Sequence, residues 1–226
     1  MDAAVHEEKE LSVGRFREQL EESAALLGTR LDLYQIHSAT IESGCLGDAT
    51  LLDALVQGRR AGRYRAVGLT LSGPRSADAL DVALAARASG ERVFDTVQAT
   101  FNVLEPSLAT GLARAHAAGL GVIVKESLAN GRLTPANDRS EDERMTGRLR
   151  EIAAGIGCTT DQLALAFVLA HPFVDVVLSG AATNAQLSSH LAAPAISLDP
   201  AGRGALAGLA EPRERYWATR AGLTWS

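Results

Sequence analysis

Two cysteines, Cys45 and Cys158, are too few among 226 residues to build a disulfide framework. They also stand far apart, and no histidine pair has metal-ligand spacing, so no metal site is expected. A basic cluster is missing as well. With 22 Lys+Arg against 27 Asp+Glu, the net charge is -5, which argues against nucleic acid as a partner. Long uncharged apolar runs are absent, and with them any expectation of a membrane span. The acidic first ten residues lack the basic-then-apolar order of a secretory signal, so the expected location is the cytoplasm. No linker, low-complexity stretch or break in composition divides the chain. A single domain over 1–226 is expected, with 1–14 frayed or disordered and 200–226 a helical tail. What is present is a 46% hydrophobic fraction, enough to fill a core and too much for a disordered chain.

Short β-type runs alternate with longer helical patterns, the signature of βα units on a parallel sheet. Strands are expected at 31–37, 64–70, 94–99, 121–125 and 174–180. Most read almost continuously apolar, as strands covered on both faces do. Between them, Phe16, Leu20, Ala24 and Leu27 form a helical stripe that Gly28 can end. Asp48 opens a second helix, Ser76 and Gly90 bracket a third, and Pro106 and Gly119 bound a fourth. Reciprocal caps are expected for Ser140 with Glu143, Thr159 with Gln162, and Thr183 with Gln186. Leu163, Ala166, Phe167 and Ala170 form one more stripe, and a pair of short helices follows Pro200.

Regular βα repetition favours a (β/α) barrel over an open doubly wound sheet. An open sheet usually carries a glycine fingerprint after its first strand, and Gly44 and Gly47 do not match that spacing. In a barrel the chemistry sits at the carboxyl ends of the strands. Here those ends are His37-Ser38, Thr70-Leu71-Ser72, 98–102, Lys125-Glu126-Ser127 and 179–183, all polar above apolar strand bodies. His37 shares a face with Leu33 and Gln35, whereas Tyr34 points the other way, towards helices. A histidine there reads either as a hydrogen-bonded structural residue or as a catalyst. Lys125 reads as a charged partner of Glu126 or as a Schiff-base nucleophile. The small residues 179–183 lead into a helix start of the kind that suits an anion.

Five of these segments resemble the aldo/keto reductase family. They are Leu31-Asp32-Leu33-Tyr34-Gln35-Ile36-His37, Val67-Gly68-Leu69-Thr70, Val97-Gln98-Ala99-Thr100-Phe101-Asn102, residues 121–133, and 179–187. Their order and register agree from about Phe16 to Leu191. The resemblance implies an α/β fold of the (β/α)8 TIM-barrel type and reduction of a small-molecule aldehyde or ketone. The implied cofactor is NADP, with NAD as the alternative. His37 is then the catalytic histidine that orients the substrate. Thr70, in place of a serine, and Gln98 would bind the nicotinamide carboxamide. Leu128, Asn130 and Gly131 fall in the loop that crosses the pyrophosphate. Gly180, Ala181, Thr183 and Gln186 fall in the phosphate and adenine segment.

The departures bear on function. Leu71 replaces an asparagine, Lys125 an aromatic that stacks on nicotinamide, Ala182 a basic residue near the ribose 2′-phosphate, and His190 an asparagine at the adenine. The family's catalytic Asp, Tyr and Lys have no counterpart in a matching motif, and Tyr34, Tyr64 and Tyr216 do not substitute. The expectation is a partial barrel, its last five βα units without the first three strands. Little or no carbonyl reduction by this chain alone is expected. Two alternatives stand beside it. One is a non-catalytic nucleotide-binding or regulatory module of the same lineage, self-associating through open sheet edges. The other is a Schiff-base lyase that uses Lys125.

Overall fold

A computed structural model describes residues 10–223, which divide into two compact units, the first running to Thr96 and the second beginning at Val97. Residues 1–9, and with them most of the segment expected to fray, lie outside the described residues, as does Trp225. From Val13 the chain is helical. The Ser12 hydroxyl accepts from the Arg15 N–H at 3.1 Å and starts α1 (Val13–Leu27). Phe16 and Leu20 of the expected stripe are buried, whereas Leu27 is exposed. Gly28 ends the helix at φ +56°, a conformation that costs glycine little.

In the first unit β1 (Leu33–Ala39) pairs in parallel with β2 (Ala66–Leu71), and α2 (Ala49–Arg60) links them. The Asp48 carboxylate caps α2, accepting from the N–H groups of Thr50 and Leu51 at 2.9 and 3.1 Å. Leu51, Leu52, Leu55 and Val56 form its buried face. Tyr34 turns away from the His37 face, as alternation requires. Its ring stacks on Tyr64 at 5.4 Å and meets the edge of Phe16 at 5.2 Å. The Tyr64 hydroxyl donates to the Leu55 carbonyl at 2.7 Å, which ties the strand entry to α2.

The third helix is shorter than expected. α3 (Ser76–Ala85) stops before Gly90, and a small antiparallel hairpin follows, β3 (Arg87–Ala88) with β4 (Glu91–Arg92). Gly90, at φ +80°, belongs to the hairpin turn rather than to a helix end. Two arginines of α2 impose this. Arg59 donates to the carbonyls of Val93 and Arg92 and to the carboxylates of Glu91 and Asp95, while Arg60 donates to Glu91 and to the Ser89 carbonyl. Asp95 also accepts the Val67 N–H at 2.9 Å, so one carboxylate joins α2 to β2.

The second unit holds β5 (Thr96–Thr100), β6 (Gly121–Lys125) and β7 (Val176–Val177) side by side in that order, β6 and β7 in parallel. The last strand is far shorter than 174–180. Its flanks still bond to β6, Asp175 N–H to the Val122 carbonyl and Leu178 N–H to the Val124 carbonyl. α4 (Ala109–Ala117) begins after Pro106 rather than around it. Ser140 lies in a 3-10 turn, and α5 (Glu143–Ile156) starts behind Asp142, so the expected Ser140–Glu143 cap does not form. The other two reciprocal caps do, Thr159 with Gln162 at α6 (Thr160–Leu169) and Thr183 with Gln186 at α7 (Asn184–Ala192). α6 is buried nearly all round, as a core helix is, although Ala170 at its end is exposed. Phe101, Phe167, His171 and Phe173 pack their rings together at 4.8–5.8 Å. His171 is fixed there, its Nδ1 2.8 Å from the Phe167 carbonyl. The tail forms two short helices, α8 (Pro200–Ala207) and α9 (Arg213–Ala221). Among the described residues no single helix is long and apolar enough to cross a membrane.

Gly68 in the middle of β2 has a packing role. A Cβ there would collide with the Thr96 hydroxyl and lie 2.9 Å from Gln35 Cγ. Gly68→Ala is therefore expected to lower stability by about 1–3 kcal/mol through overpacking. A second substitution, Thr96→Ala, should recover part of that loss. Urea midpoints of the two variants measure this, and an unshifted midpoint for Gly68→Ala would refute the close approach.

Candidate functional site

Backbone strain marks the strand ends. A non-glycine residue rarely takes a positive φ, and such residues persist where the surroundings over-determine them. Five of the described residues do so: Ser38, Ser89, Glu126, Ala129 and Asn130. Ser38 lies at the register shift in β1 between the pairs Ile36–Leu69 and Ala39–Leu71, and Glu126 follows β6, while Ala129 and Asn130, with Gly131 at φ +89°, make three left-handed residues in succession.

In the first unit, His37 is exposed and Ser38 is buried beside it. The Ser38 N–H donates to the buried Thr70 hydroxyl oxygen at 2.7 Å, so the left-handed turn at Ser38 joins the ends of β1 and β2. That leaves the Thr70 hydroxyl proton available for another acceptor. A cavity of about 530 Å³ opens beside His37 and is lined by Leu11, Arg15, Phe16, Gln35 and Leu55 among others. Among the described residues no group of three or more His, Cys, Asp or Glu could hold a metal ion.

In the second unit, Gln98 sits half-buried within β5. The loop after β6 carries Leu128, Asn130 and Gly131. Asn130 and Gly131 are exposed, whereas the hydroxyl of Ser127 is buried and has no partner among the described residues. Turn bonds shape the loop: Ala129 N–H to the Glu126 carbonyl at 2.8 Å and Gly131 N–H to the Leu128 carbonyl at 3.1 Å. Gly180, Ala181 and Thr183 lie between β7 and α7. There the Gln186 side chain accepts the N–H groups of Ala182 and Thr183 at 2.8 and 3.1 Å, and the Thr183 hydroxyl accepts the Gln186 N–H. The helix start thus satisfies the N–H groups of Ala182, Thr183 and Gln186, and the first-turn N–H groups of Asn184 and Ala185 have no partner within the helix. His190 is buried, with Nε2 3.6 Å from Asp161 and Nδ1 without a partner.

Sequence reasoning missed the side chains that hold the loop after β6. The Asn102 side chain donates to the Glu126 carbonyl at 2.9 Å and to the Tyr216 hydroxyl at 3.0 Å, while its oxygen accepts the N–H groups of Leu104 and Glu105. The Glu126 carboxylate accepts from Thr100 at 3.1 Å and from Arg220 at 2.7 Å. Arg132, 3% exposed, forks onto Asp142 at 3.0 and 2.6 Å and onto Glu211 at 2.9 and 2.7 Å. Burial raises the Asp142 carboxyl, but the Arg132 guanidinium overrides this and holds it below the usual range. The sequence signal for it was a lone arginine in the loop 127–133.

Removing Arg132 would take the bidentate partner from two carboxylates and leave Asp142 with only Arg139, 3.4 Å away, and Asn137. Arg132→Met is expected to cost about 3–5 kcal/mol in urea unfolding, and a loss under about 1 kcal/mol, as exposed pairs give, would contradict the buried fork. Glu105 offers the opposite case. It is buried, one carboxylate oxygen bonds Ser107 and the other has no partner. Burial therefore raises its carboxyl, against the pull of the Ser107 hydroxyl. A carboxyl raised on folding costs stability above its folded value, and the cost fades as pH falls towards the unfolded one. Glu105→Gln should raise the thermal midpoint at pH 8 and leave it unchanged below about pH 4. Equal midpoints at pH 8 would contradict the sign.

With this geometry in place, the comparisons with known proteins are specific. The aldo/keto reductase family model matches residues 2–210. Protein tas of Escherichia coli K12 is 27% identical over 230 positions, covering 84% of this chain and 65% of its own length, and the tas protein of Shigella flexneri matches equally. Among solved structures, aldo-keto reductase AKR11C1 from Bacillus halodurans, in its holo form, superposes with a TM-score of 0.70 at 22% identity, over 90% of this chain and 69% of that one. The thermostable aldo-keto reductase Tm1743, in complex with the inhibitor epalrestat, gives 0.66 at 25% identity, over 88% and 67%. The chain thus spans about two thirds of the length of the curated relatives it matches. A five-stranded α/β chain matched by this family model over residues 2–210 belongs to the aldo/keto reductase family.

Proposed function

We propose that this chain is the nicotinamide-nucleotide-binding part of an aldehyde or ketone reductase, a partial (β/α)8 barrel working in the cytoplasm. The observation that carries the reading is the left-handed run Ala129-Asn130-Gly131, which buries Ala129 and exposes Asn130 and Gly131 after a parallel strand, in the segment that resembles the family's pyrophosphate loop. Three features suit a dinucleotide: the unpartnered Ser127 hydroxyl, the exposed Asn130 and Gly131, and the open start of α7. In this reading Leu128, Asn130 and Gly131 hold the pyrophosphate, while Gly180, Ala181, Thr183 and Gln186 hold the adenosine end. Gln98 binds the carboxamide in the second unit and Thr70 does so in the first, where its free proton can be donated.

The bound cofactor supplies hydride to a carbonyl carbon. His37, exposed beside its cavity, orients the carbonyl oxygen. Protonation of that oxygen needs a placed acid, and no residue of this sequence stands in the family's Asp, Tyr or Lys motif. Nucleotide binding with little reduction is the outcome this predicts. NADP is the favoured cofactor by lineage, but residues 178–192 contain no lysine or arginine to meet a 2′-phosphate, so NAD is the specific alternative. β1 has one strand neighbour, β2, among the described residues of its unit, which leaves an edge for self-association. Membership of an oxidoreductase family supports the reductase reading over the lyase reading of Lys125.

Calorimetric titration with NADP+ and NAD+, alongside an NADPH-dependent assay on a simple aldehyde, tests the proposal. We expect saturable binding of at least one nucleotide, weakened about tenfold in Asn130→Asp, where a carboxylate would face phosphate. Reduction should be under about a thousandth of a rate of 10 per second, an ordinary enzyme rate. No binding of either nucleotide would end the reading, and ordinary turnover would end its non-catalytic part.

A further inference from the structure

Strained backbone needs an external cause, and the turn bonds within 126–133 are too few and too local to supply one. The anchors lie elsewhere in the second unit. At one end of the loop, the Glu126 carboxylate accepts two donors from Arg220 of α9, at 2.7 and 3.2 Å, and the carbonyl of Glu126 is reached through Asn102 from the hydroxyl of Tyr216. At the other end, Arg132 is held by Glu211, which leads into α9 and whose own N–H donates to the Leu104 carbonyl at 2.9 Å. Both ends of the left-handed run are thus fastened to one element, the stretch 211–220. The two arginine pairs are charge-assisted and part-buried, and the Arg132–Glu211 pair is bidentate; bonds of that kind fix geometry as well as energy.

We infer that the tail is the positioning element of the candidate nucleotide loop, with Glu211, Tyr216 and Arg220 its positioning residues. They hold Glu126 and Arg132 at a fixed separation, and the left-handed run 129–131 lies among the five residues between these two anchors. This rests on the nucleotide reading for its functional meaning, though not for its structural one. Because coupling between sites is reciprocal, a nucleotide that binds the ordered loop must also tighten the tail. The tail carries its own reporter. The Arg220 guanidinium lies 5.9 Å over the Trp217 ring, whose edge also meets Tyr216 at 5.6 Å.

The test uses the full chain with Trp225→Phe, which leaves Trp217 as the single tryptophan. Into it go Arg220→Met, Arg220→Lys, Glu211→Gln and the milder Tyr216→Phe, which removes only a hydroxyl. Hydrogen exchange of 126–133 is measured without nucleotide, NADP+ and NAD+ affinity by calorimetry, and Trp217 emission during the titration. For Arg220→Met and Tyr216→Phe, with circular dichroism unchanged, exchange in 126–133 should rise about tenfold while β5 and β6 stay protected. Nucleotide affinity should fall by a similar factor, Arg220→Lys should restore part of it, and the emission change on nucleotide addition should be lost. Folded variants with parental exchange in 126–133 would overturn the inference. So would a rise spread evenly over the chain, the mark of a purely structural role. Should the parent bind neither nucleotide, the functional reading fails, while the exchange data still decide whether the tail sets the loop.

Discussion

A buried guanidinium between two carboxylates is the constraint around which the second unit is arranged. Arg132, Asp142 and Glu211 bring together a loop, a helix start and the entry to the tail. Taking such a charge out of water is costly, and only a nearly complete set of partners offsets it. The consequence is positional: if any one of the three segments moves, the buried cluster loses at least one of its two Arg132 ion pairs. The loop after β6, the segment with most of the backbone strain, is fixed by this requirement rather than by its own local preferences.

The two units solve a common problem in different ways. In the first, the arginines are on a helix and their acceptors on a hairpin and strand entry, so Arg59 and Arg60 anchor the chain around 87–95 and leave the strand end at His37 open. In the second, the arginines reach across the mouth of the strands, and the ends of β5 and β6 are closed over by the tail. Exposure follows from this difference. His37 faces solvent beside a cavity, while Asn102 and Arg132 are almost wholly enclosed.

Strand positions and helix faces were legible because both are local. The apolar runs at 64–70 and 121–125 fell within two residues of β2 and β6, and Thr159 and Thr183 announced their helices through caps three residues long. What escaped depends on distant partners. Gly90 reads as a helix stop until Arg60, 29 residues before Ser89, is seen to bond the Ser89 carbonyl and make a hairpin of the same residues. Pro106 reads as a first-turn proline, yet Asn102 turns the preceding backbone and delays the helix to Ala109. The candidate site divides along the same line. Its strand-end positions were named from the sequence, whereas the ties that shape the loop span 79 and 94 residues and leave no periodicity to read.

Those spans also set an order in time. A ribosome adds about 5–20 residues per second, so Arg220 follows Glu126 by roughly 5 to 20 seconds, given the 94 residues between them. Throughout that interval β5 and β6 can already be paired, while the loop above them has neither of its outer anchors. The strained turn therefore cannot belong to the early folding nucleus. It is a late acquisition, and the nascent chain passes through a period in which its sheet is formed and its most specialised segment is still slack.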